Sequence, residues 1–328
     1  MKNTPLIQKF FIIVLIGVLA MPTLLPYVAD AQEPQISQLN VSEQNDFVVE
    51  PGKVEAFLNP GETVVKSVMV TNRIKRKVRF NVVTEDFIGS YDPQQPVILL
   101  GNDKSPYSFK ENLEPSVKEF TLDFGQRITI PVKITVPKDA SPGGYYSSVV
   151  ISNQPDKEEL ASSTTNTVAK NRIISRLGVL FFIRVNGDAK ENGALEQFNL
   201  SGGGWFRQQG PVSFEVLFSN SGTVHLVPYG MVTVTNLFGQ KVASLPVDAY
   251  FSLPNSTRYR VVDWNKSMLL GRYKATLELN RGYGNVVDKQ SIAFWVIPWK
   301  ILVGAFAALF VIIALIYYIV TRFEFKRK

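Results

Sequence analysis

Two apolar segments bracket this 328-residue chain, and they constrain it more than any motif between them. Near the N-terminus, Phe10 to Ala20 reads FFIIVLIGVLA and follows Lys2 and Lys9. A run of about eleven residues falls well short of a hydrocarbon core of about 30 Å. Pro22 and Pro26 stop a helix there. Ala29-Asp30-Ala31 then supplies small residues at the two positions a signal peptidase reads. The expectation is a cleaved export signal over 1–31, in preference to an uncleaved anchor. At the other end, Ile301 to Val320 carries no charge over about twenty residues, long enough to span. Trp299 and the Tyr317–Tyr318 pair stand where interfacial aromatics belong. Arg322, Lys326, Arg327 and Lys328 follow, opposed only by Glu324. A transmembrane helix is expected over 298–320, because a core helix is not apolar on every face. The positive-inside rule places the tail, 321–328, in the cytoplasm. The export signal independently places the body outside it. The expected location is the cell membrane, crossed once.

Between these ends the pattern is β. Val64 to Thr71, Val78 to Thr84, Ile128 to Val136, Tyr145 to Ser152 and Ile173 to Val185 are short alternating or β-branched runs. Asn59-Pro60-Gly61 and Ser141-Pro142-Gly143-Gly144 read as turns just before strands. Gln154 to Lys170 reads as a long polar loop between two strands of one sheet, and Pro93 to Pro115 as a second irregular stretch. A polar, turn-rich segment near Asn186 to Gly193 marks a boundary. Six further runs follow, at 195–201, 212–219, 230–236, 259–264, 271–279 and 291–296. The predicted fold is all-β: two immunoglobulin-like β-sandwich domains in tandem, over 32–187 and 195–297, joined by a linker at 188–194. The last strand runs into Pro298 almost without a spacer.

Composition removes several chemistries. The chain has no cysteine and one histidine, so a thiol nucleophile and a Cys/His zinc site are ruled out. Disulfides cannot support the exported body, and burial must. The formal charge of +7 is misleading. About one positive charge belongs to the export signal and about four to Lys300 and the tail, leaving the body near +2, so nucleic acid is not a predicted partner. His225 lies in a short apolar run after a turn and reads as a packing residue. Glu85-Asp86 and Glu158-Glu159 are the nearest carboxylate doublets, and both read as solvated loop or strand-end charges. Arg73 to Arg79, RIKRKVR, could meet anionic wall polymers but reads better as a polar hairpin turn. Tyr91, Tyr107, Phe109, Tyr145 and Tyr146 would stack sugars only if they lay together. Trp205, Trp264 and Trp295 read as core or domain-seam residues. No catalytic, metal or cofactor residue is assigned, and no cofactor is expected.

Three groups of residues carry a family resemblance. Phe47-Val48-Val49-Glu50-Pro51 with Leu58-Asn59-Pro60-Gly61-Glu62 and Val70-Thr71-Asn72 form the first. Pro137 with Pro142-Gly143-Gly144-Tyr145-Tyr146 forms the second. Leu253-Pro254-Asn255-Ser256 with Trp264 and Leu270-Gly271-Arg272-Tyr273 forms the third. In order and spacing they resemble the WxL-interacting protein family of bacterial cell surfaces. That resemblance implies a peptidoglycan-binding first domain and a second domain that engages other surface proteins. The matching residues are turns and strand ends, so no ligand contact transfers with them. The segment Gly222 to Gly230 has no counterpart in that pattern.

The leading expectation is a non-enzymatic, membrane-anchored surface protein that binds cell-wall peptidoglycan, wall polymers or other cell-surface proteins. An alternative is an assembly factor that, like fimbrial chaperones, shares a β-strand with a partner; it requires an uncovered edge strand in the first domain. A second alternative is a wall glycan hydrolase, which requires two carboxylates facing across a groove.

Overall fold

The computed structural model describes residues 33–92, 95–154 and 174–322. The expected signal segment, the Glu158-Glu159 doublet, most of the polar loop after Gln154 and the tail beyond Arg322 lie outside the described residues. Nearly all described secondary structure is strand.

Eleven strands build the first sandwich. They are β1 (Gln35–Gln38), β2 (Phe47–Glu50), β3 (Lys53–Leu58), β4 (Thr63–Asn72), β5 (Val78–Gly89), β6 (Val97–Leu99), β7 (Leu113–Pro115), β8 (Glu119–Leu122), β9 (Gln126–Thr135), β10 (Gly143–Gln154) and β11 (Arg176–Val185). One sheet runs β1-β9-β4-β2, with β7 also on β9; the other runs β3-β11-β10-β5-β6, with β8 also on β5. The period-two pattern decides what faces inward. Val68 and Val70 of β4, Ile130, Val132 and Ile134 of β9, and Val149 and Ile151 of β10 share one closed core. Val179, Phe181, Ile183 and Val185 of β11 complete it. Their even-numbered neighbour Phe182 is buried too, on the opposite face of the sheet. Both faces of β11 are covered at this end, which is why its sequence reads as a nearly continuous apolar run.

The second sandwich pairs β12 (Gly193–Leu200), β14 (Val212–Asn220) and β17 (Ser256–Trp264) in one sheet. The other runs β13 (Phe206–Arg207), β19 (Val287–Val296), β18 (Gly271–Asn280), β15 (Tyr229–Asn236) and β16 (Lys241–Val247). Phe214, Phe218, Leu277, Leu279 and Phe294 anchor its own core. Gly230 is required by close approach: an added Cβ would lie 2.2 Å from the Glu278 carbonyl oxygen on β18. Trp264 is core, set edge-on against Tyr273 at 5.2 Å.

Two residues after β19 the chain enters α1 (Trp299–Arg322), 24 residues long. Its sequence from Ile301 to Val320 has no charge. Among the described residues no helix is long and apolar enough to cross a membrane. The expected span over 298–320 therefore rests on the sequence of α1.

Several strand expectations needed correction. Gly143 and Gly144 are the first residues of β10, not a turn before it. β16 was missed because Pro246 and polar residues interrupt its pattern, and β13 because it has two residues. The stretch from Pro93 to Pro115 contains β6, a short 3-10 turn (Lys110–Asn112) and β7.

The cores make a direct prediction. Phe80 has no exposed surface and contacts the rings of Phe47 and Phe120 at 5.1 and 5.2 Å. Phe80→Ala should cost about 3–5 kcal/mol, read as a lower urea midpoint for the first sandwich. Val261→Ala, at an exposed position on β17, should stay within about 0.5 kcal/mol.

Candidate functional site

The first sandwich has two features that its own core does not explain. One is a seam on the outer face of the β3-β11-β10-β5 sheet. Phe87, Tyr146 and Phe182 point away from the first core and are buried with Leu253 of the second sandwich. Phe182 is the hub. Its ring meets Phe87 at 5.7 Å, Tyr146 at 5.5 Å, Phe251 at 5.1 Å and His225 at 4.9 Å, all edge to face. Each such pair contributes about 0.5–1.5 kcal/mol beyond its buried area. Hydrogen bonds close the rim. The Gly144 N–H donates to the Thr223 carbonyl at 2.9 Å, and Asn255 Nδ2 donates to the Tyr107 hydroxyl at 3.0 Å. Gly144 must lack a side chain, because an added Cβ would lie 2.1 Å from the Tyr146 hydroxyl.

His225 sits inside this seam. Its Nδ1 lies 3.4 Å from the Tyr146 hydroxyl, and its Nε2 lies 3.7 Å from Glu55 Oε1. Burial is the main force pushing its imidazole down to about 4; Glu55 opposes the shift, and Lys53 and Arg184 add to it. Burial likewise pushes the Tyr146 hydroxyl up. The ring is neutral at pH 7, and the packing role expected for it stands. The segment from Gly222 to Gly230, which the family pattern left unmatched, is the one that lays His225 and Thr223 on the first sandwich.

The second feature is an edge. β3 pairs in parallel with β11 only from Leu180 to Val185. The Ser175 carbonyl accepts from Asn153 of β10, while the Leu180 N–H donates to Gly52 on the other side. Backbone groups alternate sides along a strand. Those of Arg176 and Gly178 therefore point away from β10, and no strand pairs with them there among the described residues. Ile174 and Leu177 beside them are exposed. Other edges carry protective features. β1 and β2 have four residues each, β16 holds Lys241 and Pro246, β12 is bulged between Leu195 and Gln197, and β17 bears Arg258 and Arg260. Over the open stretch of β11 the one charge, Arg176, is engaged by Glu85 on the sheet face.

The remaining candidates fall elsewhere. Glu85 and Asp86 are not strand-end charges but lie within β5. Asp86 is buried, and its Oδ1 accepts the N–H groups of Phe109 and Lys110 at 2.8 and 2.7 Å, pinning the 3-10 turn. Local sequence gave no sign of this, since the partners are more than twenty residues away. Glu85 and Glu111 line one open groove. Glu85 is paired with Arg176, and Lys104 holds the Glu111 carboxyl below the usual range, the opposite of what a general acid requires. Arg73 and Lys75 do not sit in the expected hairpin turn: they lie between β4 and β5, which belong to different sheets, and they pair with Asp46 and Glu43. The aromatics do not form one platform: Tyr91 is exposed, while Phe109 and Tyr146 are buried. Trp205 and Trp295 are exposed, contrary to a core or seam position. No group of three or more His, Asp or Glu suited to a metal occurs among the described residues.

No family model matches the chain, and no curated protein matches it. Solved structures do. A chain of the chaperone–tip adhesin complex of CFA/I fimbriae biogenesis is similar at TM-score 0.38 and 10% identity, covering 77% of this chain and 99% of that one. The class 5 fimbriae chaperone CfaA gives 0.34 and 10%, covering 77% and 100%. The PapD-like domain 7 of human CEP192 gives 0.30 and 11%, covering 49% and 98%. Likenesses this weak carry no argument about partner or activity.

The seam predicts a pH dependence. Unfolded histidine titrates near 6.5, and folded His225 near 4. The unfolded chain therefore binds the extra proton first. Stability is complete above about pH 6.5 and falls by about 3 kcal/mol as pH drops toward 4. Urea midpoints measured over that range should fall more steeply for the wild-type chain than for His225→Leu. Parallel curves would refute the assignment.

Proposed function

We propose that this chain is a non-enzymatic, extracytoplasmic binding protein, anchored in the membrane by α1, that takes hold of another cell-surface protein by strand addition along the free edge of β11. One observation carries this reading: among the described residues, β11 is paired on both sides from Leu180 onward but on one side only across Arg176 to Val179. An extended peptide laid there gains main-chain hydrogen bonds from Arg176 and Gly178, and Ile174 and Leu177 offer apolar contact. The uncharged run from Ile301 to Val320 in α1 and the basic tail support single-pass anchoring with the body outside. The resemblance to the WxL-interacting family supports a wall-associated protein as the partner. Peptidoglycan binding rests on that resemblance alone, since the aromatic side chains proposed for it pack as two pairs, Tyr107 with Tyr146 and Phe109 with Tyr145, in which Tyr146 and Phe109 are buried. The paired, charge-balanced carboxylates of the groove beside Glu85 argue against a hydrolase.

The absence of cysteine allows a clean test. Leu177→Cys provides the sole thiol for a short crosslinker on intact cells, and a discrete adduct with another envelope protein is expected. Gly178→Pro removes an N–H that faces the free side and spares the β10 ladder, so it should abolish the adduct without lowering the urea midpoint by more than about 1 kcal/mol. An adduct that persists undiminished in the proline variant would sink strand addition.

A further inference from the structure

The end of the second sandwich that leads into α1 is unusually apolar for a solvent-facing rim. Strand register defines this end. Gly271 pairs with Val296, the last residue of β19, so β18 begins there. Asn236 pairs with Tyr273, so the β15–β16 turn lies there. Val212 pairs with Trp264, so the segment between β17 and β18 emerges there. Phe206 pairs with Trp295, which brings Trp205 to the same end.

Each of these connections ends in exposed apolar side chains. Phe238 at the β15–β16 turn and Met268 before β18 are both 84% exposed, with Leu237 and Leu270 beside them at 61% and Trp205 at 66%. Their hydrocarbon gains nothing from the core beneath. The backbone ties the Trp205 segment to the strand that leads into α1: the Trp295 N–H donates to the Trp205 carbonyl at 2.8 Å, and the Ile297 N–H to the Arg207 carbonyl at 2.9 Å. Only Ile297 and Pro298 separate β19 from the helix. Lys241, Lys266 and Lys300 lie in the same connections or just beyond them, suited to lipid phosphates.

We propose that this end of the second sandwich is a lipid-binding face whose loop tips enter the interfacial layer of the same bilayer that holds α1. The inference rests on the membrane-anchored reading above. The occupant is a lipid surface because the patch is continuous with the apolar helix and combines bulky apolar tips with lysines. Trp, Phe and Leu facing such a layer, with basic residues among them, are what interfacial segments use. The body would then sit on the membrane at several points, not hang from one.

Single-cysteine variants test this in the full-length chain, reconstituted in nanodiscs of phosphatidylcholine and phosphatidylglycerol in equal parts, with or without brominated acyl chains. An environment-sensitive fluorophore is placed at Phe238→Cys or Met268→Cys. Phe310→Cys in α1 reports insertion, and Asp248→Cys, at the far end of the sandwich next to Val247 and its partner Gly230, reports the background. The expected result is quenching at 238 and 268 several-fold above that at 248, with strong quenching at 310. Quenching at 310 but only background at 238 and 268 overturns the lipid-binding face and leaves the anchor intact. Background quenching at all four positions overturns the anchor, and this inference with it.

Discussion

Phe182 is the residue on which the two halves of the body depend. It occupies a strand whose other face closes the first core, so its position is fixed before the second sandwich is considered. Around it the rings of Phe87, Tyr146, Phe251 and His225 sit at 4.9–5.7 Å. Hydrocarbon and ring contacts dominate this seam, and its few polar bonds lie at the rim. His225 is the exception within, and its burial makes the junction sensitive to acid.

The same strand carries two different tasks. From Leu180 to Val185, β11 is enclosed by β3, β10 and the seam. From Arg176 to Val179 it has a neighbour on one side only among the described residues. The rigid half gives the open half a fixed direction, so a peptide bound there as proposed would meet a preformed edge with little ordering left to do.

Most long strands were legible in the sequence because burial on one face enforces a period of two, as in β4, β9 and β14. Turn chemistry marked their ends, and the triple glycine at Gly202–Gly204 is a turn in which all three residues have positive φ. The seam was not legible. Phe182 and Tyr146 look like core residues in a linear reading, because nothing local distinguishes burial under a sheet from burial above it. Asp86 was misread for a related reason: a carboxylate within a β run looks solvated until its backbone partners at Phe109 and Lys110 are brought to it. Trp205 and Trp295 were misplaced by the general preference of tryptophan for interiors, which is no rule for a residue at the end of a sheet. The open edge could not be seen at all, since it depends on where β3 begins.

The two long antiparallel ladders have a mechanical consequence. β11 is held to β10 by ten residue pairs, and β19, which leads into α1, is held to β18 by ten more. Tension applied along β11 or along β19 would load its ladder in shear. Bonds loaded in shear share the force, whereas a hairpin peeled from its end yields them one at a time. Each ladder therefore resists pulling along its own strand more strongly than peeling from its end.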